Sequence, residues 1–493
     1  MTSYSLSSQT SSTGNPAGNT GANSKSLSHT KLEDKIIYLN QQFRLEENFD
    51  LISRNIEIGG RKACFYFVNG FCKDELMQKL LQQFMEMKPE DMPDNIEQFA
   101  EKYVPYIEVE ITREYPRVFA SVLSGQLVLL LEGYEGCLLI DSRTYPARGV
   151  DEPEKDKVLR GSKDGFVETL TFNTALIRRR IRNTDLTMEI KQVGVSSKTD
   201  VVICYMKKRV DMELLQRIEE RIDALKVDAL SMNQESLAEC LFRGKWFNPF
   251  PKFKYSERPD TAAAQILEGD IVILVDNSPY AMIVPSSIFD IIDEADDYYL
   301  PPLTGTYLRL TRFLIALVTY FLTPTYLLLM QNQEMIPEFL RFIIIQDQSN
   351  VPIVIQFFLL ELAIDGLKLA AINTPNMLST PLSIMAGLVL SEFAVKSGWF
   401  NTEVLLYMAF VAIANYTQSN YELGYALKFM RMLTLLLTFF FNKIGFVVGV
   451  VISVVSLCMN KTISGKSFIY PLIPFDGKKL LRRFIRFPLR SEE

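Results

Sequence analysis

Histidine is almost absent from this chain of 493 residues, which contains a single one, His29, in a tract of serine, threonine, asparagine and glycine. Histidine-based zinc sites and Ser-His-Asp triads both need this side chain. The sequence therefore argues against both kinds of site. The carboxylates are scattered and offer no paired acid and base, so we predict that the protein is not an enzyme, binds no metal and needs no cofactor.

Closely spaced cysteine pairs are also lacking. The six cysteines are scattered along the chain, with no CxxC spacing, at positions Cys64, Cys72, Cys137, Cys204, Cys240 and Cys458. This pattern favours reduced thiols in a cytosolic setting over a framework of disulfides.

The amino-terminal residues lack the apolar core of a secretory signal peptide. Residues 1–31 are polar and of low complexity, so we expect a flexible tail there. The net charge of −6 argues against nucleic acid as a partner. The folded residues before the first apolar run are therefore expected to remain in the cytoplasm.

Long apolar runs dominate the carboxyl-terminal part. The clearest, RFLIALVTYFLTPTYLLLM, is long enough to cross roughly 30 Å of hydrocarbon as a helix. The runs are Arg312–Met330, Val351–Ile372, Pro381–Val395, Glu403–Tyr416, Leu423–Phe441 and Ile444–Met459. A soluble core would not place so many such runs in succession, so this pattern predicts an all-α polytopic membrane domain over residues 301–463.

Two cytoplasmic α/β (α+β) domains are predicted before the membrane domain, because helical and strand patterns alternate there. We place the first at residues 32–148 and the second at 149–300, ending in the acidic linker DEADDYY. Asp260 is the predicted N-cap of a helix that stops at Gly269. Residues 464–493 form a basic carboxyl-terminal tail, also predicted to be cytoplasmic.

The distribution of positive charge predicts the topology. Arg309 and Arg312 precede the first run and the chain ends in a basic tail, so both termini are expected on the cytoplasmic side. This arrangement requires an even number of crossings. Six crossings follow if Pro381–Val395 spans the bilayer, and four if that run is re-entrant and another is interfacial.

Charged residues interrupt the second apolar run. Glu361, Asp365 and Lys368 are spaced four and then three residues apart, which places them on one face of a helix. Such groups usually face a bundle interior, a partner or a water-filled path. One hypothesis is a polar lumen for ions or small solutes. The alternatives are salt bridges that fix helix packing, or helix ends close to lipid headgroups. The candidate polar face comprises Glu361, Asp365, Lys368, Asn373, Glu392 and Lys396.

Several long segments resemble one known family, the A subunits of the GerA-type spore germination receptors of endospore-forming bacteria. The segments occur in the family's order and cover nearly everything after about Leu32. They are Pro146–Arg182, Phe250–Asp260, Leu267–Pro285, Asp296–Tyr299 and Tyr470–Pro488. Within the family, the chain looks more like the branch of stage V sporulation protein AF than like a nutrient receptor subunit.

The resemblance implies a protein of the inner spore membrane, with its α/β domains on the spore-core side. It also implies oligomerisation into a cation-conducting channel early in germination, together with other germination membrane subunits and membrane lipid. A non-conducting scaffold that assembles receptor complexes is the second hypothesis. A solute transporter is a third and weaker one, since the sequence has no convincing inverted repeat.

Overall fold

A computed structural model gives the structure of the chain. It describes residue 27 and residues 31–104, 106, 108–143, 157–241, 248–345, 350–373, 387, 394–418, 420–465 and 467–487. Two compact units are present. The first contains Met1–Gln42, Ser53–Phe67 and Cys72–Arg143, and the second contains Phe43–Ile52, Val68–Phe71 and Thr144–Glu493. The five-part division expected from the sequence remains a prediction.

The first unit is built around a five-stranded antiparallel sheet in the order β1-β2-β4-β5-β3. Its strands are β1 Leu51–Ile58, β2 Arg61–Val68, β3 Val109–Thr112, β4 Leu127–Leu131 and β5 Cys137–Ile140, and its helices are α1 Leu32–Phe43, α2 Asp74–Glu86, α3 Ile96–Tyr103 and α4 Tyr115–Leu123. β4 and β5 are fully buried because both are continuous apolar runs, LVLLL and CLLI. Aromatic rings of Phe65, Phe84 and Phe99 stack over this core.

The second unit begins with a sheet of the same strand order, β6-β7-β9-β10-β8. Its strands are β6 Leu186–Val193, β7 Thr199–Met206, β8 Lys254–Ser256, β9 Ile271–Val275 and β10 Ala281–Val284, and its helices are α5 Leu170–Arg180, α6 Met212–Asp223, α7 Asn233–Leu241 and α8 Pro259–Glu268. Alternate residues of β7 enter two different cores, with Val201 and Ile203 in one and Val202 and Cys204 in the other. Both faces of the sheet are therefore covered.

A buried ion pair ties the segment Phe43–Ile52 to the rest of the second unit. The guanidinium of Arg178 donates to both carboxylate oxygens of Asp50, at 2.7 and 2.9 Å, and the Arg178 side chain is fully buried. Asn48 accepts a further bond from the backbone N–H of Met188. Of the three arginines at the basic end of α5, Arg178 is thus part of the internal packing.

Helices form the remainder of the second unit. They are α9 Ile288–Ile292, α10 Asp296–Tyr299, α11 Pro302–Gln331, α12 Ile353–Asn373, α13 Ala394–Lys396, α14 Thr402–Tyr416, α15 Tyr421–Met459 and α16 Gly477–Phe484. Among the described residues, α11 and α15 are the two helices long and apolar enough to cross a membrane. α12 is of sufficient length but carries Glu361, Asp365 and Lys368.

The 39 residues of α15 form two helices joined at Asn442, whose φ of 50° lies outside the helical region. A Cβ added at Gly449 would lie 2.8 Å from Cα of Thr434, so the two halves pack closely against each other. At about 1.5 Å per residue, each half is of roughly the length that a bilayer core requires. The division matches the two apolar runs predicted here.

Most of the predicted apolar runs are helices in the structure, although Pro381–Val395 lies almost wholly outside the described residues. Two expectations from the sequence, one about a helix cap and one about a linker, were wrong. Asp260 is not the N-cap of α8. Arg258 occupies that position, because Pro259 begins the helix. The DEADDYY segment is an ordered part of the fold rather than a linker, since Asp297 is fully buried within α10.

Candidate functional site

Four charged side chains meet among the apolar helices α11, α12 and α15. We call Glu361, Asp365, Lys428 and Arg431 the helical charge cluster. Arg431 of α15 donates to Glu361 of α12, while Lys428 binds Asp365 and lies 3.3 Å from the second carboxylate oxygen of Glu361. α12 thus supplies the two acids and α15 the two bases, and the four formal charges sum to zero.

Helical spacing explains why the cluster forms. Glu361 and Asp365 are four residues apart and Lys428 and Arg431 three apart, so each pair projects from one face of its helix. The side chain of Arg431 is fully buried, those of Glu361 and Lys428 are 5% exposed, and that of Asp365 is 29% exposed. Removing one member of such a buried pair costs about 3–5 kcal/mol, because the other charge is then uncompensated.

The cluster also reaches α11. One terminal nitrogen of Arg431 donates to the backbone carbonyl of Thr319 at 2.8 Å. Within the described residues, Nε of Arg431 and Oδ1 of Asp365 are buried without a hydrogen-bond partner. The three helices are therefore joined by charge-assisted bonds that leave one buried carboxylate oxygen without a hydrogen bond.

The predicted face divides once the helices are packed. Glu361 and Asp365 both contact Lys428, whereas Lys368 lies over the rings of Tyr416 and Tyr425, 5.1 and 5.7 Å from their centroids. Asn373 and Lys396 are exposed, and Glu392 lies outside the described residues. A role for these six residues in a pore remains a prediction.

A hydroxyl network holds α11 against both halves of α15. The Tyr320 hydroxyl is 2.8 Å from the hydroxyl oxygens of Thr434 and Ser453, and all three side chains are buried. Gly445 and Gly449 allow the close approach, since a Cβ at either position would collide with the opposite half. Small residues at this spacing are typical of helix contacts in membranes.

A second group of charges joins the α/β part of this unit to the start of α11. We call Asp293, Glu294, Asp297, Arg309 and Arg312 the junction cluster. Arg309 binds Asp293 at 2.6 Å and Asp297 at 3.3 Å, while Arg312 binds Asp297 at 2.7 Å and Glu294 at 3.0 Å. Every arginine thus has two acidic partners.

Helix α16 completes this junction. Arg309 also donates to the backbone carbonyls of Arg482 and Arg483, and the Arg483 side chain pairs with Asp290. The ring of Phe484 lies 5.0 Å from that of Phe313 and 5.7 Å from that of Phe289. The arginines that suggest a cytoplasmic side for the start of α11 therefore also act as structural ligands.

An unusual carboxyl group lies near this junction. Burial, with the nearby charges of Asp290 and Glu268, raises the pKa of Asp270 to about 8, although Arg483 and Lys254 oppose the shift. Asp270 is outside the apolar helices. Its protonation therefore changes within the physiological pH range.

A polar cleft of about 480 Å³ lies beside the junction cluster. Residues of the second sheet, of α10 and of the start of α15 line it, among them Tyr255, Arg258, Asp293 and Tyr421. Arg258 is already paired with Asp260, and Tyr255 donates to Glu235. The cleft is thus a water-accessible gap among side chains that bind one another.

Reasoning from the sequence missed one sign of charge in each cluster. Lys428 and Arg431 were visible as charges in an apolar run, but nothing in their spacing identified Glu361 and Asp365 as their partners. Asp293 and Asp297 were read as part of a linker. Their acidic spacing of four residues, just before Arg309 and Arg312, is a signal that could have revealed the junction.

Comparisons with known proteins agree on one family. The family model described as "Bacillus/Clostridium GerA spore germination protein" matches residues 38–493. The chain is 34% identical over 451 residues to stage V sporulation protein AF of Bacillus subtilis (strain 168), covering 91% of each chain. It is 27% identical over 443 residues to the uncharacterized membrane protein YfkQ of the same organism, covering 89% of this chain and 86% of that one.

One solved structure is also similar. It is the crystal structure of the N-terminal domain of the A subunit of the Bacillus megaterium spore germinant receptor GerK3. The match has a TM-score of 0.41 and 24% identity, and covers 53% of this chain and 96% of that chain.

Proposed function

Because the chain belongs to the Bacillus/Clostridium GerA spore germination protein family, we propose that it is an integral membrane subunit of a spore germination complex. In this proposal several copies form a cation channel in the inner spore membrane, together with other germination subunits. Both termini lie on the cytoplasmic side. The channel releases ions during germination.

The apolar helices support the membrane placement. Large apolar side chains are exposed along both halves of α15, including Phe440, Ile444 and Val451, and along α11. A chain in water would not expose so many, because each unburied apolar side chain forgoes about 1.5–3 kcal/mol. Lipid would cover them.

The helical charge cluster carries the channel proposal. Asp365 is the most exposed member, and its Oδ1 accepts no hydrogen bond within the described residues. A dehydrated monovalent cation needs oxygen ligands of this kind to offset its loss of water. Glu361 lies one helical turn away and is bound by Arg431. Its charge therefore contributes to the electrostatic potential that a cation passing Asp365 would experience.

The outer face of α12 supports assembly from several copies. Leu362, Leu369 and Ile372 are exposed there, and no described residue lies within 4 Å of a Cβ added at Gly366. A small residue within an apolar stripe allows another helix to approach closely. Contact between copies through this face would bring their α12 helices, and with them Asp365, near one another.

A non-conducting scaffold is the competing function. The observation that favours it is the closed pairing of the helical charge cluster, where two acids and two bases neutralise one another within one chain. In that case the cluster only fixes the packing of α11, α12 and α15.

The experiment compares spores whose only copy carries Glu361→Gln or Asp365→Asn with spores carrying Glu338→Gln. Glu338 is a matched control because it is an exposed carboxylate whose ion pair among the described residues is with Arg341, at 3.8 Å. At equal amounts of assembled complex, we expect both cluster variants to release cations at least several-fold more slowly, while the control behaves as wild type.

Normal release from both cluster variants would remove these residues from the path. Conductance of the purified protein in planar bilayers separates the two functions further. A scaffold gives no conductance at any copy number, whereas the channel gives currents that the Asp365→Asn variant reduces.

A further inference from the structure

We infer that the segment Tyr470–Phe484 is an interfacial anchor, in which an apolar loop enters the bilayer and the basic face of α16 binds anionic lipid headgroups. The inference rests on the membrane placement proposed above but does not need ion conduction. It concerns a surface outside both charge clusters.

The loop before α16 exposes three large apolar side chains. Leu472 is 46%, Ile473 51% and Phe475 74% exposed, and all three lie within four residues. Contiguous apolar patches of this kind mark protein or membrane contacts rather than surface facing water.

The helix that follows supplies positive charge. Lys478 and Arg482 are exposed and four residues apart, and Lys479 beside them donates to the hydroxyl of Tyr470. The exposed face also carries Leu481 and Ile485. An amphipathic segment with basic and apolar side chains together is typical of helices that lie in a lipid interface.

The position of α16 places this surface at headgroup level. Phe484 packs against Phe313, and the backbone N–H of Arg486 donates to the Thr306 hydroxyl at 3.1 Å, so α16 lies beside the first turns of α11. α11 has 30 residues, about 45 Å at 1.5 Å per residue, which exceeds the roughly 30 Å of hydrocarbon. Its first turns therefore extend into the interface.

The exposed stripe of α11 agrees with this depth. Leu303, Tyr307, Leu310 and Leu314 follow one another at helical spacing and are all exposed, starting from the first turn. Tyrosine is enriched at the level of the headgroups. Lipid that covers this stripe would also meet the loop and the basic face of α16.

Junction arginines cannot substitute for this basic face. Arg309 and Arg312 each bind two carboxylates. Arg483 is paired with Asp290, and Lys479 donates to Tyr470 and lies 3.8 Å from Asp476. Lys478 and Arg482 are exposed and have no acidic partner among the described residues. Charge complementarity therefore selects anionic headgroups rather than zwitterionic ones.

The test places one tryptophan in the full-length protein in liposomes. Trp246 and Trp399 are first replaced by Phe, and Phe475→Trp is compared with Val195→Trp, which is equally exposed (74%) in the β6–β7 turn. We expect lipids brominated near the headgroup to quench Trp at 475 and aqueous acrylamide to quench Trp at 195. Leu472→Trp gives a second reading of the same loop.

Headgroup preference is measured with the same probe. Brominated anionic lipid should quench Trp at 475 at a lower mole fraction in the bilayer than brominated zwitterionic lipid. Each basic residue should increase the preference for anionic lipid roughly fivefold. Lys478→Gln with Arg482→Gln should abolish this preference. Lys198→Gln with Lys226→Gln, an equal charge change at exposed positions of the second α/β domain, should leave it intact.

Two results would overturn the inference. Quenching of Trp at 475 and 472 by acrylamide alone would place the loop in water. Shielding from both acrylamide and lipid would show that protein covers it, either a partner or a second copy. If the wild-type protein gave no conductance but lipid still quenched Trp at 475, the channel proposal would be contradicted and the anchor inference would still hold.

Discussion

The helical charge cluster and the junction cluster both bury charge, yet they are built differently. In the junction the acids and arginines come from residues 293–312, so its partners are close in sequence. In the helical cluster the paired residues are separated by 63 to 70 positions. The junction also has more acids than arginines, and backbone carbonyls of α16 add to the ligands of Arg309.

The difference shows how redundancy protects buried charge. Loss of one junction acid leaves each arginine with at least one carboxylate. Loss of Arg431, in contrast, leaves Glu361 and Asp365 to share Lys428, the remaining cation of the cluster, so one negative charge is left in excess in an apolar surrounding. We therefore expect the helical cluster to be the more sensitive of the two, and the following changes test that expectation.

Arg431→Met should have the largest effect. It leaves two carboxylates, Glu361 and Asp365, with one cation between them, and should lower the free energy of unfolding of the helical region by about 3–5 kcal/mol. Thermal or denaturant unfolding of the protein in detergent measures this. The double variant Glu361→Leu with Arg431→Met removes both charges and should recover most of the loss. If the double variant is as unstable as the single one, charge burial is not the cause.

Asp297→Asn tests the redundancy of the junction. Arg309 keeps Asp293 and Arg312 keeps Glu294, so the loss should be about 1.5–3 kcal/mol, the value of hydrogen bonds to a charged group. The same unfolding assay, with Asp296→Asn as a neighbouring control, gives the number. A loss equal to that of Arg431→Met would contradict the distinction between the two clusters.

Gly449→Ala tests the close packing between the two halves of α15, the helix that carries Lys428 and Arg431. The added Cβ would lie 2.8 Å from Cα of Thr434, so we expect a loss of about 1–3 kcal/mol from overpacking. Gly424→Ala in the same helix is the matched control, since among the described residues a Cβ there would meet Asn415 Oδ1 at an ordinary 3.5 Å. It should be neutral or slightly stabilising. Equal effects of the two changes would refute the close packing of the α15 halves.

Asp270→Asn examines a buried carboxyl group outside both clusters, and its effect should depend on pH. The pKa of Asp270 is raised to about 8 in the fold, whereas an unfolded aspartate ionises near 3.9. Native stability contributed by this group is therefore lost as pH rises from about 4 to about 8. The asparagine variant should exceed wild type in melting temperature at pH 8 and match it near pH 4. A constant difference across this range would exclude titration of Asp270.

Elements with a strong local pattern could be predicted. The helices of the apolar runs, the strands β4 and β5, and the division of α15 near Asn442 all follow from runs of apolar residues and their breaks. Short elements such as β3, β8 and α7 were missed, because three to nine residues carry too little periodicity. The family resemblance rested on several long segments and was confirmed by the comparisons.

The sequence by itself determined that charges occupy an apolar helix and that Glu361 and Asp365 share a face, because periodicity is a property of the local chain. Only the tertiary structure decided that Lys428 and Arg431 form ion pairs with these two acids and that Lys368 lies over aromatic rings. It also decided that the acidic stretch before α11 binds the arginines of that helix. The physical reason is that a charge in an apolar surrounding binds the counter-ion that packing brings within reach. Packing between distant segments is set by the whole fold.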